Sequence, residues 1–240
     1  MKLTVLFQAI FLVVSVSGQS PETGRTNVYL FPGQGSDYRI FQRISLPENY
    51  DTIHISYPVP ERKATMKTFA QLLSLRIDTS HAFILIGVSL GGMLCCEIAE
   101  ILKPEKVIII SSAAERSELP FRYRFQKYVP LNRIIPKRLL KAGALMMQPL
   151  VEPDRNREKA TFKSMLRAKD PRYLKRTINM IINWDRNGRN PAVVHIHGDR
   201  DHTIPIRNVK CDIPVKDGSH MMTLTRGDEI NMIIVKHIKQ

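Results

Sequence analysis

FILIGVSLGG, residues 83–92, changes character at its middle: six apolar or small residues lead into Ser89, and two glycines follow before a helical pattern begins. A near-continuous apolar run of this length reads as a strand buried on both faces. The pattern from Leu90 to Leu102 carries helical periodicity and is stopped by Pro104, so the stretch reads as strand, sharp turn, helix. Gly87-Val88-Ser89-Leu90-Gly91 then fits a nucleophile elbow, in which a serine in a strained turn presents its Oγ at the end of a strand. Glycines two residues to either side let strand and helix approach without a Cβ clash, and the helix N-terminus stands behind the hydroxyl. The string alone is weak, because glycine and serine are common in loops; its position between strand and helix gives it weight.

Working outward, five further runs share the strand character: NVYLF (27–31), DTIHISY (51–57), KVIIISS (106–112), AVVHIHG (192–198) and a weaker DIPV near 212. Helical periodicity lies between and after them, at Thr65 to Ile77 and Thr225 to Ile238. Buried strands alternating with helices predict an α/β fold, a mostly parallel sheet flanked by helices. From Ala113 to Asn190 the alternation breaks into an Arg/Lys-rich, proline-punctuated stretch with helical segments such as YLKRTINMIINW. A helical cap inserted at about 113–190, over one end of the sheet, is the expectation.

A serine hydroxyl needs a base, and the base needs a carboxylate to orient it. The strand 192–198 runs into Asp199-Arg200-Asp201-His202-Thr203-Ile204-Pro205, which brings two carboxylates to the sheet end that carries Ser89. Beyond the weak last strand, Lys216-Asp217-Gly218-Ser219-His220 places a histidine just before the final helix. The chain order is Ser, Asp, His. An oxyanion site is offered by Phe31-Pro32-Gly33-Gln34-Gly35-Ser36 at the end of the first strand, with the Gln34 backbone N–H as one donor and the Leu90 N–H as the second.

Composition bounds the reading. With 240 residues, 43% hydrophobic and 24% charged, the chain matches an ordinary globular composition, which rules out collagen-like, coiled-coil, disordered and multi-span membrane classes. One domain over 19–240 is expected. The formal net charge of +14 is uneven: residues 111–191 hold 19 Lys+Arg against 7 Asp+Glu, so one third of the chain carries nearly all the surplus. That concentration makes a basic cap, for which a solvated helical face is the preferred reading; gathering anionic substrates or touching an anionic membrane surface is the alternative, and no nucleic-acid partner is expected. Cys95, Cys96 and the third cysteine, Cys211, have neither disulfide nor zinc spacing and read as structural thiols. MKLTVLFQAIFLVVSVSG, residues 1–18, has one positive charge, an apolar run and small residues at its end, the layout of a signal peptide, with no cysteine placed for a lipid anchor. Export, periplasmic or secreted, follows as an expectation; a first buried strand or helix is the competing reading.

Taken together, FPGQG at 31–35, GVSLGG at 87–92, HGDRDHTIP at 197–205 and GSH at 218–220 resemble the α/β-hydrolase superfamily over about residues 27–240. The resemblance implies a serine hydrolase with a helical cap and no cofactor, in which Ser89 attacks an acyl carbonyl, His220 shuttles the proton and Asp201, three residues after the glycine, holds the imidazole. Asp199 becomes the lesser choice. It implies cleavage of a carboxylic ester or thioester of a small-molecule acyl substrate, with lipase, peptidase, lactonase and acyltransferase activities left open because they differ in cap and pocket. Two departures stand out: the first strands of larger members are missing, and FPGQG replaces the more usual His-Gly at the oxyanion turn.

Other classes compete. His195-Ile196-His197-Gly198-Asp199 resembles the start of a metallo-hydrolase site, since alternate histidines on a strand share a face, but Arg200 stands where another histidine is expected. Core or supporting histidines are the preferred reading. A non-catalytic binding protein on the same scaffold is the third. Trp184 and the Met146-Met147 pair could line an acyl pocket, although such residues at helical spacing are usually core.

Overall fold

The computed structural model describes residues 25–130, 134–151 and 157–239. Residues 1–18, read above as a leader, lie outside them. Six strands form one all-parallel sheet in the order β2-β1-β3-β4-β5-β6: β1 (Thr26–Phe31), β2 (Tyr50–His54), β3 (Phe83–Val88), β4 (Lys106–Ile110), β5 (Val193–Gly198) and β6 (Ile213–Val215). Each coincides with an expected run. The chain passes from β1 outward to β2 and then returns to the other side as β3, so the sequence direction of the sheet reverses between β1 and β3. Such a switch leaves a crevice at the carboxyl ends of the strands, where ligands of open α/β sheets bind.

The four inner strands, β1, β3, β4 and β5, are buried on both faces, and alternate residues feed two cores. Tyr29, Phe31, Leu85, Val107, Ile109 and Val193 pack with α1 (Met66–Ser74) and α2 (Leu90–Ile101). Val28, Leu30, Ile84, Ile86, Ile108 and Ile196 form the opposite core with the last helix. Each fully buried aliphatic side chain here contributes about 1.5–3 kcal/mol, which is why a two-sided sheet needs no staples; the cysteines Cys95, Cys96 and Cys211 are all free thiols. Thr65 and Thr68 form a reciprocal capping box at the start of α1. The C-terminal helical pattern is divided: α7 (Met222–Thr225) and α8 (Gly227–Ile238) are interrupted at Arg226, whose backbone leaves helical geometry at φ −130° and ψ 34°.

Between β4 and β5 lie α3 (Phe121–Gln126), α4 (Lys137–Val151), α5 (Lys159–Ala168) and α6 (Pro171–Asn183). Helix α6 starts on Pro171 with Asp170 accepting from the Arg172 N–H, a combination that satisfies one orphan donor and places proline where its missing N–H costs nothing. Trp184 is core, 1% exposed, and its indole N–H donates to Glu97 Oε1 at 2.8 Å.

Candidate active site

The turn after β3 is strained in the sense the sequence demanded. Ser89 has φ 53° and ψ −119°, a conformation an L-residue holds only when its surroundings fix it. They do. The Ser89 N–H donates to Ile110 O at 3.0 Å, and its carbonyl accepts from Ser112 Oγ at 2.7 Å as well as from the Gly92 and Met93 N–H groups. The flanking glycines are obligatory: a Cβ on Gly91 would lie 2.1 Å from Phe31 O, and one on Gly87 would lie 2.4 Å from the Gly91 backbone. Ser112, with no motif to mark it, is one holder of the elbow that sequence reasoning missed.

Asp201 and His220 reach the same place from β5 and β6. Their two loops are pinned where Gly198 and Gly218 meet, with the Arg200 N–H donating to Gly218 O at 2.9 Å; a Cβ on Gly198 would fall 2.1 Å from that same carbonyl. His220 Nδ1 lies 2.7 Å from Asp201 Oδ2, and its Nε2 lies 3.0 Å from Ser89 Oγ. Because the carboxylate only accepts, Nδ1 carries the proton and Nε2 turns its lone pair to the serine. Asp201 is 2% exposed, whereas Asp199 is exposed on the surface. Thus the structure brings Ser89, Asp201 and His220 into one line and leaves Asp199 out of it.

Four donors converge on the Asp201 carboxylate. Oδ1 accepts from the N–H groups of Thr203 at 2.8 Å and Ile204 at 2.7 Å, and Oδ2 accepts from His220 and, at 3.3 Å, from His197 Nε2. Burial by itself would raise the pKa of this group, but the charge of His220 and the hydrogen bonds from His197 and His220 hold it well below the usual carboxylate range.

The other two members of the metal motif take a different part. His197 Nε2 lies 2.7 Å from Ile204 O, an acceptor only, so this nitrogen bears hydrogen. His197 Nδ1 then accepts from His195 Nε2 at 2.9 Å, and His195 Nδ1 is left buried without a partner. Burial, followed by the neighbouring His197 and Arg189, pushes the His195 pKa down to about 3, which keeps it neutral. His195 Nε2 and His197 Nδ1 bond each other and His197 Nε2 faces a carbonyl, and among the described residues no group of three His, Cys, Asp or Glu side chains is placed to hold a metal. The two histidines form a buried pair behind Asp201, the arrangement of core or supporting histidines preferred from the sequence, and Asp199 lies apart on the surface.

The turn at residues 31–36 lies against the elbow, since a Cβ on Gly33 would stand 3.3 Å from Ser89 Cβ. Ser36 Oγ accepts from the Gly33 N–H at 2.9 Å, and Tyr57 OH donates to Pro32 O at 2.9 Å, so side chains fix both sides of the turn. Leu90 is the first residue of α2, where a backbone N–H has no acceptor within the helix. The Gln34 side chain does something the sequence did not announce: its Nε2 donates to Thr177 Oγ1 at 2.8 Å and to Leu174 O at 3.1 Å, tying the turn to α6.

Ser89 and His220 lie in a cavity of about 560 Å³ between the sheet edge and the helical insertion. Its walls are apolar, formed by Leu119 and Tyr123 beside α3, Leu140 of α4, Phe162 and Leu166 of α5, and Ile178 and Ile181 of α6. Arg122 alone among the lining residues bears a fixed charge, and its guanidinium is bonded to Thr203 O. Neither Trp184 nor Met146 lines the cavity; the Met147 side chain lies outside those described.

No family model matches the sequence, and no curated protein matches it. Solved structures do. The enol-lactonase from Burkholderia xenovorans superposes with a TM-score of 0.66 at 15% identity, over 90% of this chain and 92% of that one. A hydrolase from Pseudomonas aeruginosa gives 0.66 at 14% identity, over 90% and 91%. A thermophilic esterase from Thermogutta terrifontis gives 0.63 at 13% identity, over 90% of each chain.

Proposed function

The chain has the α/β-hydrolase fold, and from that premise we propose that it is a serine hydrolase cleaving carboxylic esters or thioesters with an apolar acyl group. The observation that carries the reading is the unbroken line Ser89 Oγ, His220, Asp201 opening into an apolar cavity. In this reading Ser89 Oγ attacks the acyl carbon while His220 Nε2 takes its proton; Asp201 holds the imidazole and balances the imidazolium. The oxygen of the tetrahedral intermediate is received by the Gln34 and Leu90 N–H groups. His220 then returns the proton to the departing alcohol or thiol, and water repeats the sequence on the acyl-enzyme, releasing a carboxylic acid and free Ser89. Esterase and lactonase neighbours support ester-type substrates.

The low charge of the cavity wall supports an apolar acyl chain, each buried methylene of which adds about 0.8 kcal/mol, roughly a fourfold gain in kcat/KM per carbon until the cavity is filled. The test is covalent labelling. Wild type should react with a fluorophosphonate probe and hydrolyse p-nitrophenyl esters, while Ser89→Ala should lose both with a melting temperature within a few degrees of wild type. Labelling that survives Ser89→Ala would overturn the mechanism.

A further inference from the structure

The helices that wall the cavity show solvent a different surface from the rest of the molecule. Of thirteen large apolar side chains strongly exposed among the described residues, eight fall between Phe121 and Met146. Tyr128 is 80% exposed, Ile134 78% and Met146 74%. Phe121 and Phe125 stack on each other with ring centroids 5.5 Å apart, half-exposed beside Arg124. From Leu119 to Val151 the sequence has seven Lys or Arg and no acidic residue. A solvated helix face ordinarily mixes both signs and shows few large apolar groups.

We propose that this surface, made of α3, residues 127–130 and 134–136 and the first half of α4, docks on an anionic lipid bilayer. Charge complementarity selects the partner. A plane of anionic headgroups satisfies cations that form no salt bridge among the described residues, at about 1 kcal/mol for each Lys or Arg near the surface, and the hydrocarbon beneath takes aliphatic side chains. Nucleic acid would use the cations but leaves Val129, Ile134, Ile135 and Leu139 without a counterpart. An acidic protein would need a fitted groove, and a bilayer needs none. No helix of the described residues is long and apolar enough to cross a membrane, so the contact is peripheral. Because Tyr123 of α3 and Leu140 of α4 also line the cavity, docking sets the mouth of the site against the lipid.

The experiment is cosedimentation of the full chain with vesicles of phosphatidylcholine containing about a third phosphatidylglycerol, compared with pure phosphatidylcholine, at low and high salt. Binding is expected on the anionic vesicles alone and is expected to fall steeply as salt rises. The triple variant Lys127→Glu, Lys137→Glu, Arg138→Glu should lose it. The same change of charge at the opposite edge of the sheet, Lys103→Glu, Lys236→Glu, Lys239→Glu, should keep most of it. Phe125→Ser with Leu139→Ser, which alters no charge, should weaken binding about tenfold; all three variants should melt near wild type, and they hydrolyse a water-soluble acetate ester at the wild-type rate. Failure to bind anionic vesicles, wild-type binding by the apolar double variant, equal loss in both charge variants, or binding to an acidic protein or RNA in place of vesicles would each overturn the assignment. Vesicle binding is read without turnover, so it stands or falls separately from the serine mechanism.

Discussion

The carboxyl edge of the sheet and the helical insertion face each other across one cavity, and they are held together differently. At the edge, the Ser89 carbonyl accepts three hydrogen bonds, and the Asp201 carboxylate accepts three within 2.8 Å. Across the cavity, the insertion presents aliphatic side chains to the site and leaves large apolar and basic side chains in solvent. Preorganised dipoles and a fixed base have to be built to within a fraction of an ångström, and backbone turns at strand ends supply that. A wall that selects by contact area tolerates exchange of one apolar residue for another. The comparison teaches that, under the proposed function, reaction and selectivity would be carried by different materials, and it can be broken by substitution on either side.

The sharpest break is at Asp201. Asp201→Asn should lower kcat/KM for p-nitrophenyl butyrate by roughly 10⁴-fold, because the amide no longer holds the His220 tautomer, whereas Asp199→Asn, on the surface, should change it less than twofold. Equal effects would deny the edge its selectivity between two carboxylates two residues apart.

His197 comes next as a positioning residue. Removing its N–H with His197→Phe takes one donor from Asp201 and leaves that carboxylate a stronger acceptor for His220. We expect kcat to fall about tenfold with KM unchanged, and the acid limb of the kcat/KM profile to move up by about half a pH unit. A loss of activity with an unmoved acid limb would make the histidine a packing residue only.

On the insertion side, Ile178→Trp should fill part of the cavity. The ratio of octanoate to acetate hydrolysis should drop about tenfold, by the area argument for acyl methylenes, with acetate turnover almost unaffected. Comparable losses on both esters would mean that the wall also shapes the chemistry.

The remaining expected effect concerns acid stability, away from the reaction itself. His195 is neutral in the folded protein down to about pH 3, whereas in the unfolded chain it titrates near 6.5. Its folded pKa is the lower, so the associated stability is complete above pH 6.5 and is lost as the pH falls toward 3, at about 1 kcal/mol per pH unit. His195→Gln retains an N–H donor for His197 and removes the titration. Urea unfolding at pH 7, 5.5 and 4.5 should show a shallower decline for the variant than for wild type.

The sheet was legible because strands such as FILIGV and KVIII are buried on both faces, so the run of apolar residues is the signal itself. The elbow and the order Ser89, Asp201, His220 were legible because each sits beside a glycine or turn whose backbone geometry restricts residue choice. The supports were not. Ser112 meets Ser89 from 23 residues away, Tyr57 meets Pro32 from 25, and Gln34 meets Thr177 from 143; no local pattern encodes such pairs. The histidines of β5 show the same limit in reverse: their spacing on one face was visible, but whether two imidazoles face an ion or each other depends on Ile204 O, which the loop brings back to His197. The break at Arg226 was hidden by apolar periodicity that continues through it.

The hook from Gln34 to Thr177 and Leu174 has a consequence for protein engineering. A foreign insertion grafted between β4 and β5 would inherit a glutamine whose amide expects a hydroxyl and a carbonyl on the opposing helix. A chimera that keeps the threonine position should retain a rigid turn next to Ser89. One that drops it leaves an amide hydrogen at the cavity wall without its hydroxyl acceptor, so the junctions of a transplant are set by residue 34 as well as by the two strand ends where the chain is cut.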